Sequence, residues 1–415
     1  MKIGFVSLWW LPHCGGGEVY AYRLARAMQR AGIAIEVITT SPAVSDRDNG
    51  DIEVLRTGVF HEPQSMNAFR HYLRGPEHAA WCDDVARWAE ERRFTHILCN
   101  APLMRPGFSA ATPELFVRLR ATGAIVGAIH LDLGPRTVSR ILACYAECRG
   151  WERTAATVCD EQRASARSRG ARAFHDAAAS PLFYEPAFVL SCSQWSARFI
   201  DPLDEVPQFV LHPLLPPLPD TAEDAMEKLA PVTVGMINPL PQKGALNMAH
   251  VILRNRRDWS FRVLQGAWGK AFESFTPMIG NALRASDERV TLLQYVREMS
   301  AFYRAIEVFM FPSRVEGYGM APVEAMQAST PVVATDYPAI IEAVGAGARI
   351  VSWLADGDQW IAAIADVLAD RDSWRRHAAA WTRALEVREA EELPAFVEFL
   401  QSLPTAVAAV PHREA

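Results

Sequence analysis

The N-terminal stretch up to Thr39 constrains the fold more than any other part of this chain. An apolar run from Ile3 to Leu11 is followed by Gly15, Gly16 and Gly17, and then by Ala21, Leu24, Ala25, Met28 and Ala31. Those last five fall at i, i+3, i+4, i+7 and i+10, which places them on one face of a helix. Gly32 then ends the helix, because glycine adopts the left-handed conformation after a helix end without a Cβ penalty. Residues 33–39 (IAIEVIT) read as the next strand. Strand, glycine loop, helix, strand is a βαβ unit, so the chain opens a parallel sheet.

Two other readings of the opening are weaker. Lys2 and the apolar run imitate a short leader ending at Cys14. Pro12 and His13 suit a lipid-modified cysteine poorly, and a cleaved leader would not continue into a helix and a matching strand. A dehydrogenase turn would read G-x-G-x-x-G and would have an acidic residue at the end of the second strand. Here the loop is GGG and the strand ends in Thr39-Thr40.

The alternation continues. Residues 52–56, 95–100 (THILCN), 124–129 (AIVGAI, ending at His130), 188–193 and 209–211 read as strands, with helices over 79–92 and 113–122 and a long helical stretch over 137–179. HPLLPPLPD, residues 212–220, has four prolines in nine positions and can be neither helix nor central strand. It reads as a linker. A second series of strands follows at 232–237, 261–265, 290–293, 308–312, 331–335 and 349–351. A chain of 415 residues exceeds one ordinary core. The expectation is an α/β protein of two Rossmann-like domains, 1–215 and 216–380, with C-terminal helices over 381–403 packing back towards the first and a tail over 404–415. Ligands would bind outside the carboxyl ends of the strands, in a cleft between the sheets.

Composition narrows the function classes. The net charge is −6, which argues against a nucleic-acid binder. No apolar run reaches the roughly 18 residues that span a bilayer. The seven cysteines form no Cys-x-x-Cys pair, so free thiols in a reducing cytoplasm are expected.

The densest chemical signal is PSRVEGYGMAPVEAM, residues 312–326. A strand ends at Pro312, Gly317 and Gly319 flank Tyr318, and a helix opens near Pro322. Glycines let the backbone approach a ligand closely, and a helix start presents free N–H groups suited to a phosphate. Glu316 stands at the mouth of the loop and Glu324 inside the first helical turns, so one carboxylate could hold sugar hydroxyls and the other ribose hydroxyls. Taken alone, an ordinary glycine turn with a surface glutamate and a capped helix fits equally well.

The series PS-x-x-EGYGM-x-P-x-EAM, then PVVAT, then Glu342, resembles the family-four retaining glycosyltransferases of GT-B fold. The resemblance covers nearly the whole chain and is closer in the second half. It implies two facing domains, a nucleotide-diphospho-sugar donor (UDP- or GDP-linked) held mainly by the second, and a glycan or glycolipid acceptor held mainly by the first. It also implies retained anomeric configuration, with no metal or other cofactor. Carried over by residue, Glu316 lies beside the donor sugar, Glu324 binds the ribose, and the backbone around Gly317, Tyr318, Gly319 and Met320 meets the sugar and diphosphate. Lys243 in PQKG neutralises the leaving diphosphate, and His130 reaches the donor sugar from the first domain. Gln294, Tyr295 and Val296 lie where the base is held. Gly15, Gly16 and Gly17 face the diphosphate across the cleft, with Glu18 as the first helical residue, where its charge suits the dipole.

There are departures. An arginine often follows the glycine of the first strand in the second domain, and Met236 stands there. Asn238, Gln242 or Arg314 could supply the missing donor. Ser329 replaces a common glycine, and Tyr337-Pro338 replaces a glycine pair near the sugar. Three Asp-x-Asp pairs (Asp46/Asp48, Asp356/Asp358, Asp370/Asp372) resemble metal-site motifs but sit in polar turns or at helix ends, with Asp356 read as a helix cap. Arg163, Arg167, Arg169 and Arg172 form either a solvated helix face or a contact with an anionic acceptor or membrane surface. Cys144 and Cys148, one turn apart, read as packing residues.

The expectation is a cytoplasmic hexosyltransferase, peripheral at the inner face of the membrane, working in cell-surface polysaccharide or glycolipid assembly. A glycosyltransferase of small-molecule acceptors, a nucleotide-sugar epimerase or hydrolase on the same fold, and a non-catalytic carbohydrate-binding protein remain as alternatives.

Overall fold

The computed structural model describes residues 1–10, 15–41, 51–58, 71–73, 75–100, 112–131, 133, 135–176, 186–200, 206–215, 232–255, 258–265, 289–293, 296 and 299–404. The chain divides into two compact units, one made of Met1–Leu214 with Ala390–Ala415, the other of Leu215–Glu389.

Among the described residues the first unit has seven parallel strands: β1 (Lys2–Ser7), β2 (Ala34–Thr39), β3 (Glu53–Arg56), β4 (His96–Asn100), β5 (Ile125–His130), β6 (Phe188–Ser191) and β7 (Gln208–Val210). Between them lie α1 (Gly16–Arg30), α2 (Pro76–Arg92), α3 (Thr112–Ala121), α4 (Pro135–Cys148), α5 (Trp151–Asp176) and α6 (Gln194–Ala197). The sheet order is β3-β2-β1-β4-β5-β6-β7. Nearly every residue of β1, β2, β4, β5 and β6 is buried, as continuous apolar runs in a parallel sheet covered on both faces should be.

The second unit repeats the plan with β8 (Thr233–Ile237), β9 (Ser260–Leu264), β10 (Val290–Leu293), β11 (Val308–Phe311), β12 (Val332–Thr335) and β13 (Arg349–Val351). Its helices are α7 (Ala245–Arg254), α8 (Met299–Arg304), α9 (Met320–Gln327), α10 (Pro338–Val344) and α11 (Gly357–Ala369). Its strand order, β10-β9-β8-β11-β12-β13, is again all parallel. One face of this sheet packs Val234, Met236, Val263 and Met310 against Met248, Ile252, Trp360 and Ile364 of α7 and α11. A last helix, α12 (Arg371–Ser402), runs on through Pro394. Pro394 has no N–H for the carbonyl of Ala390, the residue at which α12 passes from the second unit to the first.

Both sheets thus have the doubly wound order, and each reverses direction at one place: between β1 and β4, and between β8 and β11. Crevices at such reversals, beyond the carboxyl ends of the strands, are where doubly wound sheets hold ligands.

Some local expectations change. The long helical stretch over 137–179 is two helices, α4 and α5, separated where Arg149 takes a left-handed φ of 51° beside Gly150. Trp9 and Trp10 are buried, with the backbone N–H of Trp10 donating to Ser41 Oγ at 2.8 Å, so they serve the core of the first unit. Among the described residues no helix is long and apolar enough to cross a membrane.

Candidate functional site

In the second unit the strand order brings together two loops far apart in sequence. β8 and β11 are neighbours, and each ends in a loop that carries one singled-out charge. Beyond β8 the chain turns through Pro241–Lys243, and beyond β11 it runs through Pro312 to Glu316. Lys243 Nζ lies 2.7 Å from Glu316 Oε2, with both side chains partly buried. Gly244 makes this approach possible. It has φ 81°, and a Cβ on it would stand 2.1 Å from the Pro312 carbonyl oxygen. Only glycine combines that conformation with that closeness. The Arg314 N–H donates to the Gln242 carbonyl at 2.9 Å and ties the two loops by backbone.

The Glu316 loop is strapped from behind as well. Thr335 Oγ1 donates to the Ser313 carbonyl at 2.7 Å, and Trp353 Nε1 donates to the Arg314 carbonyl at 2.9 Å. The Arg314 guanidinium stacks on the Trp353 ring, 4.1 Å from its centroid. The contact fixes the plane of the guanidinium and leaves its N–H donors at the edge. Met236 is buried within β8 and serves the core, while Asn238, the first residue past the strand, has a left-handed φ of 50°. Of the three residues considered for the missing arginine, Asn238 alone follows directly on a strand at the reversal.

Helix α9 starts at Met320, two residues before Pro322, with Gly319 at its N-cap and φ 107°. Gly319 has no side chain to cap it, so the N-cap position itself supplies no acceptor to its first N–H groups, the kind of helix start that suits a phosphate. Glu324 is its fifth residue, and its Oε2 receives Tyr303 Oη at 3.3 Å. Gly317 and Tyr318 are buried. Lys243, Glu316, Gly317, Tyr318 and Gly319 thus belong to two neighbouring strand-to-helix connections, those of β8 and β11, and Met320 and Glu324 to the helix that the second one opens. Val296 is half-buried beyond β10, and Gln294 and Tyr295 lie outside the described residues.

In the first unit the reversal lies between β1 and β4, and Gly15, Gly16 and Gly17 lead from the β1 loop into α1. Gly15 is the N-cap and Gly16 the first helical residue, so Glu18 is the third, not the first. Its side chain folds inward. The backbone N–H groups of Gly15 and of Glu18 itself bond the carboxyl, yet burial outweighs them and pushes its pKa up to about 7. Asn100, at the end of β4, was not singled out from sequence. It is fully buried, and its Nδ2 donates to Ser7 Oγ at 3.2 Å and to the Gly17 carbonyl at 3.4 Å. A polar residue closing an apolar strand at the reversal was the available signal. His130 ends β5 half-buried, and a Cβ on Gly17 would lie 3.2 Å from the side chain of its neighbour Leu131.

The remaining motifs find structural places. Asp356 caps α11 in a reciprocal capping box with Gln359. Asp358 pairs with Arg254 at 2.5 Å, Asp370 accepts the Ser373 N–H at 3.2 Å, and Asp372 pairs with Arg375 at 3.4 Å. Asp46 and Asp48 lie outside the described residues, among which no cluster of three or more metal-ligating side chains occurs. Ser329 has φ 60°, a left-handed conformation that glycine adopts more readily than serine. Tyr337 is fully buried at the N-cap of α10. Cys144 is buried with its Sγ 3.6 Å from Cys148 Sγ. Arg163 is exposed and 3.5 Å from Asp160; the side chains of Arg167, Arg169 and Arg172 lie outside the described set.

Residues 231–370 match the family model described as Glycosyl transferases group 1. The chain is 34% identical over 137 residues to the lipopolysaccharide core biosynthesis mannosyltransferase LpsB of Rhizobium meliloti (strain 1021), a stretch covering 32% of this chain and 38% of that protein. The curated relatives it matches are spanned over 24% to 38% of their lengths. Among solved structures, Anabaena Alr3699/HepE in complex with UDP-glucose superposes with a TM-score of 0.65 at 14% identity, covering 97% of this chain and 100% of that one. WaaG, a glycosyltransferase involved in lipopolysaccharide biosynthesis, gives 0.55 at 14% identity over 96% and 100%. The chain therefore has the GT-B fold, and its segment 231–370, which carries Lys243, Glu316 and Glu324, matches the Glycosyl transferases group 1 family.

Proposed function

We propose that the chain is a retaining, metal-independent glycosyltransferase that moves a hexose from a UDP- or GDP-sugar to a hydroxyl of a glycan or glycolipid in cell-surface polysaccharide assembly. The observation that carries this reading is the Lys243–Glu316 pair at 2.7 Å, at the carboxyl ends of β8 and β11 where the second sheet reverses. A cation and a carboxylate side by side match the two ends of a sugar diphosphate. The ammonium takes the phosphate oxygens and the carboxylate accepts hydrogen bonds from sugar hydroxyls, so donor binding replaces one ion pair with two satisfied partners.

In the reaction, the acceptor oxygen bonds to the anomeric carbon as the bond from that carbon to the diphosphate oxygen breaks. The acceptor proton passes to the departing diphosphate on the same face, which retains configuration. Lys243 and the N–H groups at the start of α9 stabilise the negative charge that develops on the leaving group. Glu316 orients the sugar, Glu324 takes the ribose, Asn238 and Val296 border the nucleotide, and the resemblance gives His130 a role at the reacting sugar. The family match over 231–370 supports glycosyl transfer, and the name of LpsB supports a surface-polysaccharide setting. The peripheral membrane location rests on the arginines of α5 alone.

The test is a thermal-shift screen against UDP-, GDP- and dTDP-sugars, followed by turnover with and without acceptor. Donor-dependent stabilisation and transfer, lost in Lys243→Ala, support the reading. Turnover in water at the rate seen with acceptor would replace it with a hydrolase, and no response to any donor would overturn it.

A further inference from the structure

The geometry points to Arg388, on the C-terminal helix α12, as a positioning residue for the loop formed by residues 317–320. This inference rests on the donor site proposed above and names a residue that the strand-to-helix motifs do not contain. The loop has a physical problem. Two of its residues are glycines, whose freedom in the unbound state opposes any single arrangement of its N–H groups. A loop that binds through backbone amides works best when it is fixed before the ligand arrives.

Tyr318 is the one side chain between Gly317 and Gly319, and it is 4% exposed. It does not simply fill a hole. Arg388 Nη2 donates a hydrogen bond to Tyr318 Oη, and the guanidinium carbon lies 5.7 Å from the centre of the Tyr318 ring, within cation–π range. The contact joins positions 70 residues apart.

Arg388 is itself held by a docked element. Seven residues earlier on α12, Trp381 Nε1 donates to the Ala343 carbonyl at 2.8 Å, and its ring covers Gly345, where a Cβ would come within 2.2 Å of it. Ala378 and Leu385 are buried on the same helix. The next residue, Glu389, accepts the Leu215 N–H at 2.8 Å, which fixes the helix on the other side of Arg388. The guanidinium therefore reaches Tyr318 from a rigid support. Tyr318 is followed by Gly319 at φ 107° and by the first turn of α9. What Arg388 fixes is the direction in which those N–H groups point.

The experiment compares the full chain with Arg388→Met, Arg388→Lys, Tyr318→Phe and the double variant Arg388→Met/Tyr318→Phe. Two readouts are taken: hydrogen exchange of peptides over 315–321 without donor, and donor KM and kcat. The expected result is faster exchange in that segment for Arg388→Met and Tyr318→Phe, with segment 245–254 unchanged. Donor KM rises about tenfold, as the loss of a charge-assisted hydrogen bond implies, while kcat moves less than threefold. Arg388→Lys, which keeps charge and reach, restores most of the affinity, and the double variant is no worse than Arg388→Met. Unchanged exchange at 315–321 overturns the proposal, and so does faster exchange with donor KM within twofold of the parent. A parent chain without donor turnover would count against the glycosyltransferase reading alone, because the exchange readout needs no donor.

Discussion

Glu18 gives a prediction that can be worked from the structure in full. It is the third residue of α1, 7% exposed, with its carboxyl bonded by the backbone N–H groups of Gly15 and its own residue. Two effects oppose each other there. A carboxylate at a helix N-terminus is favoured by the dipole and by those N–H bonds, while burial disfavours the charged form. Burial wins, and the folded-state pKa rises from 4.5 to about 7. The sign follows from proton counting. Below 4.5 the group is protonated in both folded and unfolded chains, and its contribution is fully present. Between 4.5 and 7 the folded chain holds the proton and the unfolded chain does not, so stability falls as pH rises through this window. Above 7 the loss is complete. The gap of about 2.5 pH units corresponds to about 3 kcal/mol. Glu18→Gln keeps a carbonyl acceptor for the Gly15 N–H but cannot ionise. Near pH 4.5 it should match the parent within ~1 kcal/mol, and at pH 8 it should be more stable by about 3 kcal/mol. The chain has two units, so scanning calorimetry at both pH values is the suitable assay, with the transition of the first unit followed alone. For a unit of this size the shift is upward by roughly 6–12 °C at pH 8. An equal shift at both pH values would show that the carboxyl does not titrate in this window. Destabilisation at pH 8 would show that the helix end outweighs burial.

Removing one partner of the site's ion pair should separate folding from chemistry: Lys243→Met should lower kcat by roughly 10²–10³-fold, as loss of a charge-stabilising donor does, with the melting temperature within a few degrees of the parent. Glu316→Gln should also lower transfer strongly, whereas Glu324→Gln should mainly raise donor KM, and steady-state kinetics on a responsive donor would separate the two. Gly244→Ala should cost about 3 kcal/mol or more and abolish turnover, because its Cβ meets the Pro312 carbonyl oxygen at 2.1 Å with φ at 81°; an active, stable variant would refute the close approach that sets Lys243. Ser329→Gly should stabilise the second unit by about 0.5–1 kcal/mol by relieving a left-handed serine at φ 60°, measured as a raised calorimetric transition.

Which parts of this molecule could be read from its residues follows from the range of the forces that set them. Parallel strands buried on both faces leave apolar runs such as THILCN and VFMF, and helix ends leave glycines such as Gly32; these signals are local, and the alternation they mark was legible. Where a local signal was passed over, the error was local too: Gly150 interrupts the helical stretch over 137–179, with Arg149 in the left-handed conformation beside it. The site is of another kind. Lys243 and Glu316 could be singled out one at a time by resemblance, but their pairing depends on β11 lying beside β8, an order that no window of sequence contains. The same limit hid Asn100, whose partners Ser7 and Gly17 come from the neighbouring strand and the helix that follows it, and Arg388, whose partner lies 70 residues away. It also hid the surroundings of Arg314, one of the three residues considered as a substitute donor. Its guanidinium is stacked on Trp353, a residue that reads as an ordinary strand-end aromatic until β13 is placed beside β12. The chemistry proposed at the second unit's reversal thus rests on residues whose type was visible and whose company was not, and strand order is the information that converts the one into the other.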